Sequence, residues 1–192
     1  MLKNSRNRNK HNGWVLSEFE DYDFLDSFDC GDSDLNDYFR QDACPHNYEL
    51  LSKTYSFTDI LNELPFPVAL IDLCNDSVKR EKINGLPFFQ DLPATKRYPA
   101  YPAVKITRLG VHVAFQGNNI GSYLINMVKQ LFLTENRTGC RLITVDAYNS
   151  HKVLQFYQKN DFCLFSSKDE NRKSRGMYFD LKRPFVNVDH TA

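Results

Sequence analysis

Residues 103–136 constrain this chain more than any other stretch. AVKITRLGVHV alternates β-branched with polar residues, the pattern of a strand. QGNNIGS follows as a turn rich in glycine and asparagine. YLINMVKQLFLTEN then sets Leu124, Ile125, Val128, Leu131 and Phe132 on one stripe of a helix. A strand that passes through such a turn into a helix is a ready anion site: the first N–H groups of the helix lack intrahelical partners, and its dipole adds partial positive charge. Gly117 and Gly121 present no Cβ to a ligand, and Asn118 and Asn119 tolerate left-handed backbone. The segment Gln116, Gly117, Asn118, Asn119, Ile120, Gly121 and Ser122 is therefore a candidate cradle for a pyrophosphate. Glycines serving turn geometry alone are the competing reading. The turn is not a P-loop, since it lacks the Gly-Lys-Ser/Thr ending, and it is not the GxGxxG fingerprint.

Elements flank this unit on both sides. RLITVDA reads as a buried strand, SHKVLQFYQKN as a helix with Ser150 as its N-cap, and DFCLFSS and RGMYFDL as two closing strands. Upstream, WVLSEF reads as a strand. Asp32 or Ser33 can cap a helix with Leu35, Tyr38 and Phe39 on one face. Residues 52–59 and 66–73 read as an antiparallel pair of strands. Residues 84–102 hold Pro87, Pro93, Pro99 and Pro102, four of the 8 prolines, and read as an ordered irregular loop. The expectation is one domain over 14–185, preceded by a basic flexible tail over 1–13.

A chain of 192 residues can bury one full core. No run approaches the length of a membrane-spanning helix, and the basic, polar start lacks the apolar stretch of a signal peptide, so the expected place is the cytoplasm, with no membrane partner. Five widely spaced cysteines without a CxxC read as reduced thiols, and no metal is expected. The net charge of +0 hides an asymmetry. Residues 1–100 carry 11 Lys/Arg and 17 Asp/Glu (11 − 17 = −6), whereas residues 101–192 carry 13 and 7 (13 − 7 = +6). The C-terminal half is the better place for a phosphate-bearing ligand.

RLGVHVAFQGNNIGSYL, the strand ending in VDAYN and the helix ending in FYQKNDF together resemble the GNAT family of N-acetyltransferases. The resemblance covers about residues 100–165. It implies an α+β fold, a mixed and mostly antiparallel sheet flanked by helices and splayed at an acetyl-CoA site. It makes Gln116–Gly121 the turn that binds the pyrophosphate of acetyl-CoA, with Asn119 standing where a glycine is usual. Asparagine is the mildest replacement where φ is positive. The resemblance further implies that Asn149 contacts the pantetheine or its water, and that Tyr157 protonates the departing thiolate. FDCGDSDLNDYF, LSKTYSF and YPAVKITRLGV are similar to the toxin–antitoxin subfamily, whose members acetylate the amine of aminoacyl-tRNA.

The chemistry is attack of an amine on a thioester held beside it. A backbone N–H near Leu109 or Val111 is placed to stabilise the oxyanion and to pair with pantetheine like a neighbouring strand. Tyr157 is a donor candidate from the resemblance, and a core tyrosine from its flanking Phe156 and Phe162. His112 and Asp146 are weaker candidates for a base. Arg108 and the cluster Arg172, Lys173 and Arg175 are candidate contacts for nucleic-acid phosphate. The acceptor stays open between aminoacyl-tRNA and a small-molecule or protein amine, and a non-catalytic interaction module is the reading of a different class. The subfamily implies an antitoxin partner. A homodimer is compatible with the chain, though no motif specifies one.

Overall fold

Strand patterning along the chain resolves into one sheet. The computed structural model describes residues 9–11, 14–19, 25, 27–59, 67–92, 98–134, 136 and 138–182. Its eight strands are β1 (Asn9–His11), β2 (Trp14–Glu18), β3 (Lys53–Asp59), β4 (Ala69–Lys79), β5 (Ala100–Val111), β6 (Leu142–Tyr148), β7 (Cys163–Leu164) and β8 (Ser174–Asp180). They lie in the order β1-β2-β3-β4-β5-β6-β8-β7. Every neighbouring pair is antiparallel except β5 and β6, which run parallel. A parallel pair needs a crossover, and α4 (Ile120–Thr134) supplies it. The expected α+β class and mixed, mostly antiparallel sheet are observed.

Helices cover both faces. On one, α4 and α5 (His151–Lys159) pack on the largest apolar cluster, which includes Ile71, Val104, Ile106, Leu124, Ile125, Val128, Ile143, Val145 and Tyr157. Ser150 caps α5, its hydroxyl accepting from the Val153 N–H. One cation is buried here: the Lys129 ammonium donates to the Asn160 carbonyl at 2.8 Å and lies 4.1 Å from the Phe179 ring centre. The other face carries α1 (Ser33–Asp37) and α2 (Ala43–Tyr48), joined by one π-helical turn over Tyr38–Asp42. Asp32 caps α1 by accepting from the Leu35 N–H. Tyr38 and Phe39 face inward with Phe28 and Leu70. Further along that face sit α3 (Arg80–Ile83) and a 3-10 turn over Pro87–Asp91, packed on Val78, Ala103, Leu142 and Tyr178.

Several boundaries differ from expectation. Residues 9–11, assigned to the tail, form an edge strand against β2; residues 1–8, 12–13 and 183–185 lie outside the described residues. The strand expected over 66–73 runs on to Lys79 because β5 pairs with it along its whole length. The proline-rich loop is partly ordered as a 3-10 turn, and its last residues, from Ala100, already belong to β5. The strand expected over 161–167 shrinks to two residues. All five cysteines are free thiols, and burial pushes Cys30, Cys74 and Cys140 up from the ordinary thiol value.

Candidate functional site

The sheet opens where β5 and β6 part. They pair from Ala103↔Leu142 to Ile106↔Val145 and no further. β5 continues to Val111 against β4, so from Thr107 onward its other edge is released. A β-bulge marks the spot: Leu73 pairs with Ile106 and Asp72 with Arg108, which leaves Thr107 as the extra residue. Just beyond β5, the His112 N–H donates to Val68 on the β4 side at 2.9 Å. N–H directions alternate along a strand. Those of Leu109 and Val111 therefore face the edge that β6 has left.

The bulge is held by a buried carboxylate that the sequence reading passed over. Asp72 is fully buried, and one oxygen accepts from Ser52 Oγ and from Thr54 Oγ1, each at 2.9 Å. Its other oxygen accepts from Thr107 Oγ1. Tyr38 extends the network to Ser52 at 3.4 Å, and burial pushes its phenol up to about 12. The signal was present as an acid inside an apolar run, Leu70-Ile71-Asp72-Leu73.

Beyond Val111 a 3-10 turn over Val113–Phe115 leads into the candidate cradle. Of the two asparagines read as tolerating left-handed backbone, Asn119 (φ 58°) adopts it and Asn118 does not; Gly117 (φ +83°) adopts it as well. The Asn119 carbonyl accepts the first helical bond, from Tyr123 N–H at 3.0 Å. The N–H groups of Ile120, Gly121 and Ser122 thus form the unpaired first turn of α4. Side chains in this turn are tethers. Gln116 Nε2 donates to the Cys30 carbonyl at 2.8 Å and to the Val111 carbonyl at 3.0 Å. Asn118 donates to Phe115 at 3.4 Å. Ser122 Oγ accepts from Asn160 at 3.1 Å. Gly121 has a packing reason absent from the sequence reading: a Cβ there would lie 3.0 Å from the Phe156 ring. The cradle accordingly offers backbone N–H groups, and its side chains hold the loop in place.

Tyr157 sits in α5 behind the cradle, buried between Phe156 and Phe162 with ring centres 5.1 and 5.3 Å away. Burial raises its phenol well above the ordinary value, so the hydroxyl keeps its proton through neutral pH. Asn149 lies just past β6. Its amide nitrogen donates to the carbonyls of Glu170 at 2.6 Å and Arg172 at 2.9 Å, so that group ties down the loop before β8.

The remaining candidates separate. His112 Nδ1 accepts from the Ala114 N–H at 3.2 Å and caps the 3-10 turn. Asp146 pairs with Lys105 at 2.5 Å; burial works against the Lys105 charge, but this carboxylate outweighs it and raises the lysine. Arg108 lies half-buried over the Tyr38 ring at 4.6 Å, on the face away from α4. Arg172 and Lys173 are exposed, whereas Arg175 is buried and bonded to Asp169 at 3.1 Å. The expected basic trio is thus a pair. Among the described residues no group of His, Cys, Asp and Glu could hold a metal ion, and no helix is long and apolar enough to cross a membrane.

Solved structures share this fold. AtaT complexed with acetyl-methionyl-tRNAfMet superposes with a TM-score of 0.73 at 20% identity, covering 88% of this chain and 95% of that one. The chain has the GNAT fold. A tyrosine-to-phenylalanine mutant of KacT gives a TM-score of 0.74 at 17% identity, covering 88% and 96%. AtaTR bound with AcCoA gives 0.63 at 19% identity, covering 90% and 96%. No protein-family model matches the chain, and no curated protein matches it by sequence. Within the GNAT fold, the parting of β5 from β6 and the α4 cradle lie next to each other in the chain, joined by one short turn.

Proposed function

We propose that this protein is an acetyl-CoA-dependent N-acetyltransferase of the toxin–antitoxin type, working in the cytoplasm, whose acceptor is the amino group of an aminoacyl-tRNA. One observation carries the reading: β5 and β6 part after Ile106↔Val145, and the released edge leads through a tethered turn to a helix N-terminus. The likeness in fold to AtaT complexed with acetyl-methionyl-tRNAfMet supports the choice of acceptor, the AtaTR structure bound with AcCoA supports the cosubstrate, and an AtaT mutant toxin bound to the C-terminus of the antitoxin AtaR supports an antitoxin partner.

Acetyl-CoA supplies the acetyl group as a thioester. The N–H groups of Gly117 through Ser122 bind the pyrophosphate, with Gln116 bolting the turn to β5. Leu109 and Val111 pair with the pantetheine as a missing strand would, and one of their N–H groups stabilises charge growing on the carbonyl oxygen. Asn149, whose amide nitrogen is committed to the Glu170 and Arg172 carbonyls, has its Oδ1 left to accept from the same arm. The acceptor nitrogen bonds the acetyl carbon and gives its proton to water, while the carbon–sulfur bond breaks. Tyr157 gives the proton of its Oη to the sulfur and regains one from solvent.

The deciding experiment incubates the protein with labelled acetyl-CoA and, separately, charged tRNA, polyamines and peptide pools. Label in the tRNA fraction that disappears on deacylation is the expected result. Label confined to polyamines or peptides overturns the aminoacyl-tRNA acceptor. Label nowhere, with no acetyl-CoA bound by calorimetry, overturns the enzyme and leaves an interaction module.

A further inference from the structure

On the face away from α4 and α5 lies a cavity of about 340 Å³. It starts at the last paired rungs of β5 and β6, where Lys105 and Asp146 meet, and runs back beneath α3. That end is therefore within one or two residues of the place where the strands part. In the proposed reaction the thioester lies in that gap, so whatever fills the cavity sits beside the attacking amine.

The lining is ionic. It carries three carboxylates (Asp76, Glu81, Asp146) and three ammonium groups (Lys79, Lys82, Lys105), against three apolar side chains. Two of the carboxylates are held in fixed orientation. Asp76 accepts from Thr144 Oγ1 at 2.7 Å and from the Ser77 N–H at 2.7 Å, and Asp146 accepts from Lys105. Thr144 itself is buried. Lys82 stands 4.2 Å from the Phe165 ring centre and has no carboxylate partner among the described residues. The close approach of Lys82 is allowed by Gly176, where a Cβ would lie 3.1 Å from its Nζ.

An apolar occupant would strip water from these groups and return nothing. A polar occupant replaces the water bonds it displaces. We infer that this cavity is the acceptor pocket and that it selects an acceptor whose body beside the amine is charged or hydrogen-bonding rather than apolar; on the aminoacyl-tRNA reading, this is the side chain of the amino acid. The inference rests on the proposed acetyl transfer, and it concerns which amines are taken. A pocket built around polar groups rejects an apolar analogue more strongly than an apolar pocket rejects a polar one. Because the mouth is open to water, the expected ratio in kcat/KM is about tenfold or more, below the 10⁴–10⁵ of sealed sites.

The test measures acetyl transfer in two arms. One uses tRNAs charged singly with aspartate, glutamine, serine or lysine against methionine, isoleucine or phenylalanine. The other uses free primary amines of matched size with polar or apolar bodies. In whichever arm supports turnover, polar acceptors are expected to lead, and Lys82→Ala and Lys105→Met are each expected to shrink the lead. Lys82 is exposed and gives up only its contact with the Phe165 ring, so Lys82→Ala reports on the pocket at little cost to folding. Apolar acceptors equal to or better than polar ones would overturn the inference, as would a ranking unchanged in both variants. Turnover in the amine arm alone would overturn the aminoacyl-tRNA acceptor while still judging the pocket. Turnover in neither arm would overturn both.

Discussion

At the point where β5 and β6 part, the two faces of the sheet are made of different materials. The face under α4 and α5 is apolar, with Ile106, Val145 and Tyr157 in one cluster, and it meets a turn that offers backbone N–H groups. The opposite face is ionic, with Asp76, Lys105, Thr144 and Asp146 around a cavity and Asp72 sealed behind Thr107. Backbone groups are the same in every protein and suit a ligand that never varies. Side chains differ from chain to chain and suit the partner that does. On the proposed reading, cofactor binding and acceptor choice can change independently here, since they are built from different atoms on opposite sides of one sheet.

The sharpest break in that comparison is on the apolar side. Tyr157→Phe keeps the packed ring and removes only the hydroxyl. The chemical step is expected to fall about 10²–10⁴-fold, the usual contribution of a positioned acid. Stability should change by roughly 1 kcal/mol or less. Because burial raises the phenol, the parent should show no loss of rate from Tyr157 ionisation below about pH 10. Single-turnover rates at saturating acetyl-CoA check this. A variant within about threefold of the parent, under about 1 kcal/mol in barrier, would return Tyr157 to the core.

The two glycines of the turn separate packing from backbone. Gly121→Ala drives a Cβ to 3.0 Å from Phe156, and a cost of about 1–3 kcal/mol is expected from overpacking. Phe156→Leu should restore part of it. Gly117→Ala meets nothing within 4 Å and costs only the left-handed backbone, about 1–2 kcal/mol. Phe156→Leu should not help there. Denaturant midpoints of the four variants decide, and equal rescue of both would show that Gly121 does not act through Phe156.

Gln116→Ala removes two tethers that cost about 0.5–1.5 kcal/mol each. Its expected signature is a raised KM for acetyl-CoA with kcat little changed, because a looser cradle weakens ground state and transition state alike. A fall in kcat at constant KM would place Gln116 nearer the reacting atoms.

The smallest expected effect lies on the ionic side. Tyr38 has a folded-state pKa raised to about 12 by burial, against an ordinary 10. Its contribution to stability is complete below pH 10 and is lost as pH rises toward 12. Melting temperatures followed over that range should fall, and less steeply in Tyr38→Phe. Identical slopes would remove Tyr38 from the Asp72 network.

Local pattern was enough for much of this molecule. Alternation and stripe marked β5, α4, β6 and α5, and residue type marked Asn119 for a positive φ, though it marked Asn118 equally and Asn118 does not adopt one. The free N–H groups of the turn followed from where the helix begins. Other features depend on partners distant in sequence. Gly121 answers to Phe156, thirty-five positions on, and no periodicity links them. Asn149 likewise answers to distant partners, its amide nitrogen tying the loop at Glu170 and Arg172. Arg175 reads like its neighbours Arg172 and Lys173, yet a strand that turns it inward pairs it with Asp169.

What the sequence determined by itself is the βαβ unit and the exposed backbone of its turn, because hydrophobic period and the place where a helix begins are local properties of a few successive residues. Only the tertiary structure decided where β5 leaves β6, that Asp72 holds the bulge there, and that Asp76, Lys105, Thr144 and Asp146 converge on one cavity. These depend on register between strands whose paired residues lie 21 to 42 positions apart, and a register is set by the packing of whole faces rather than by any one segment.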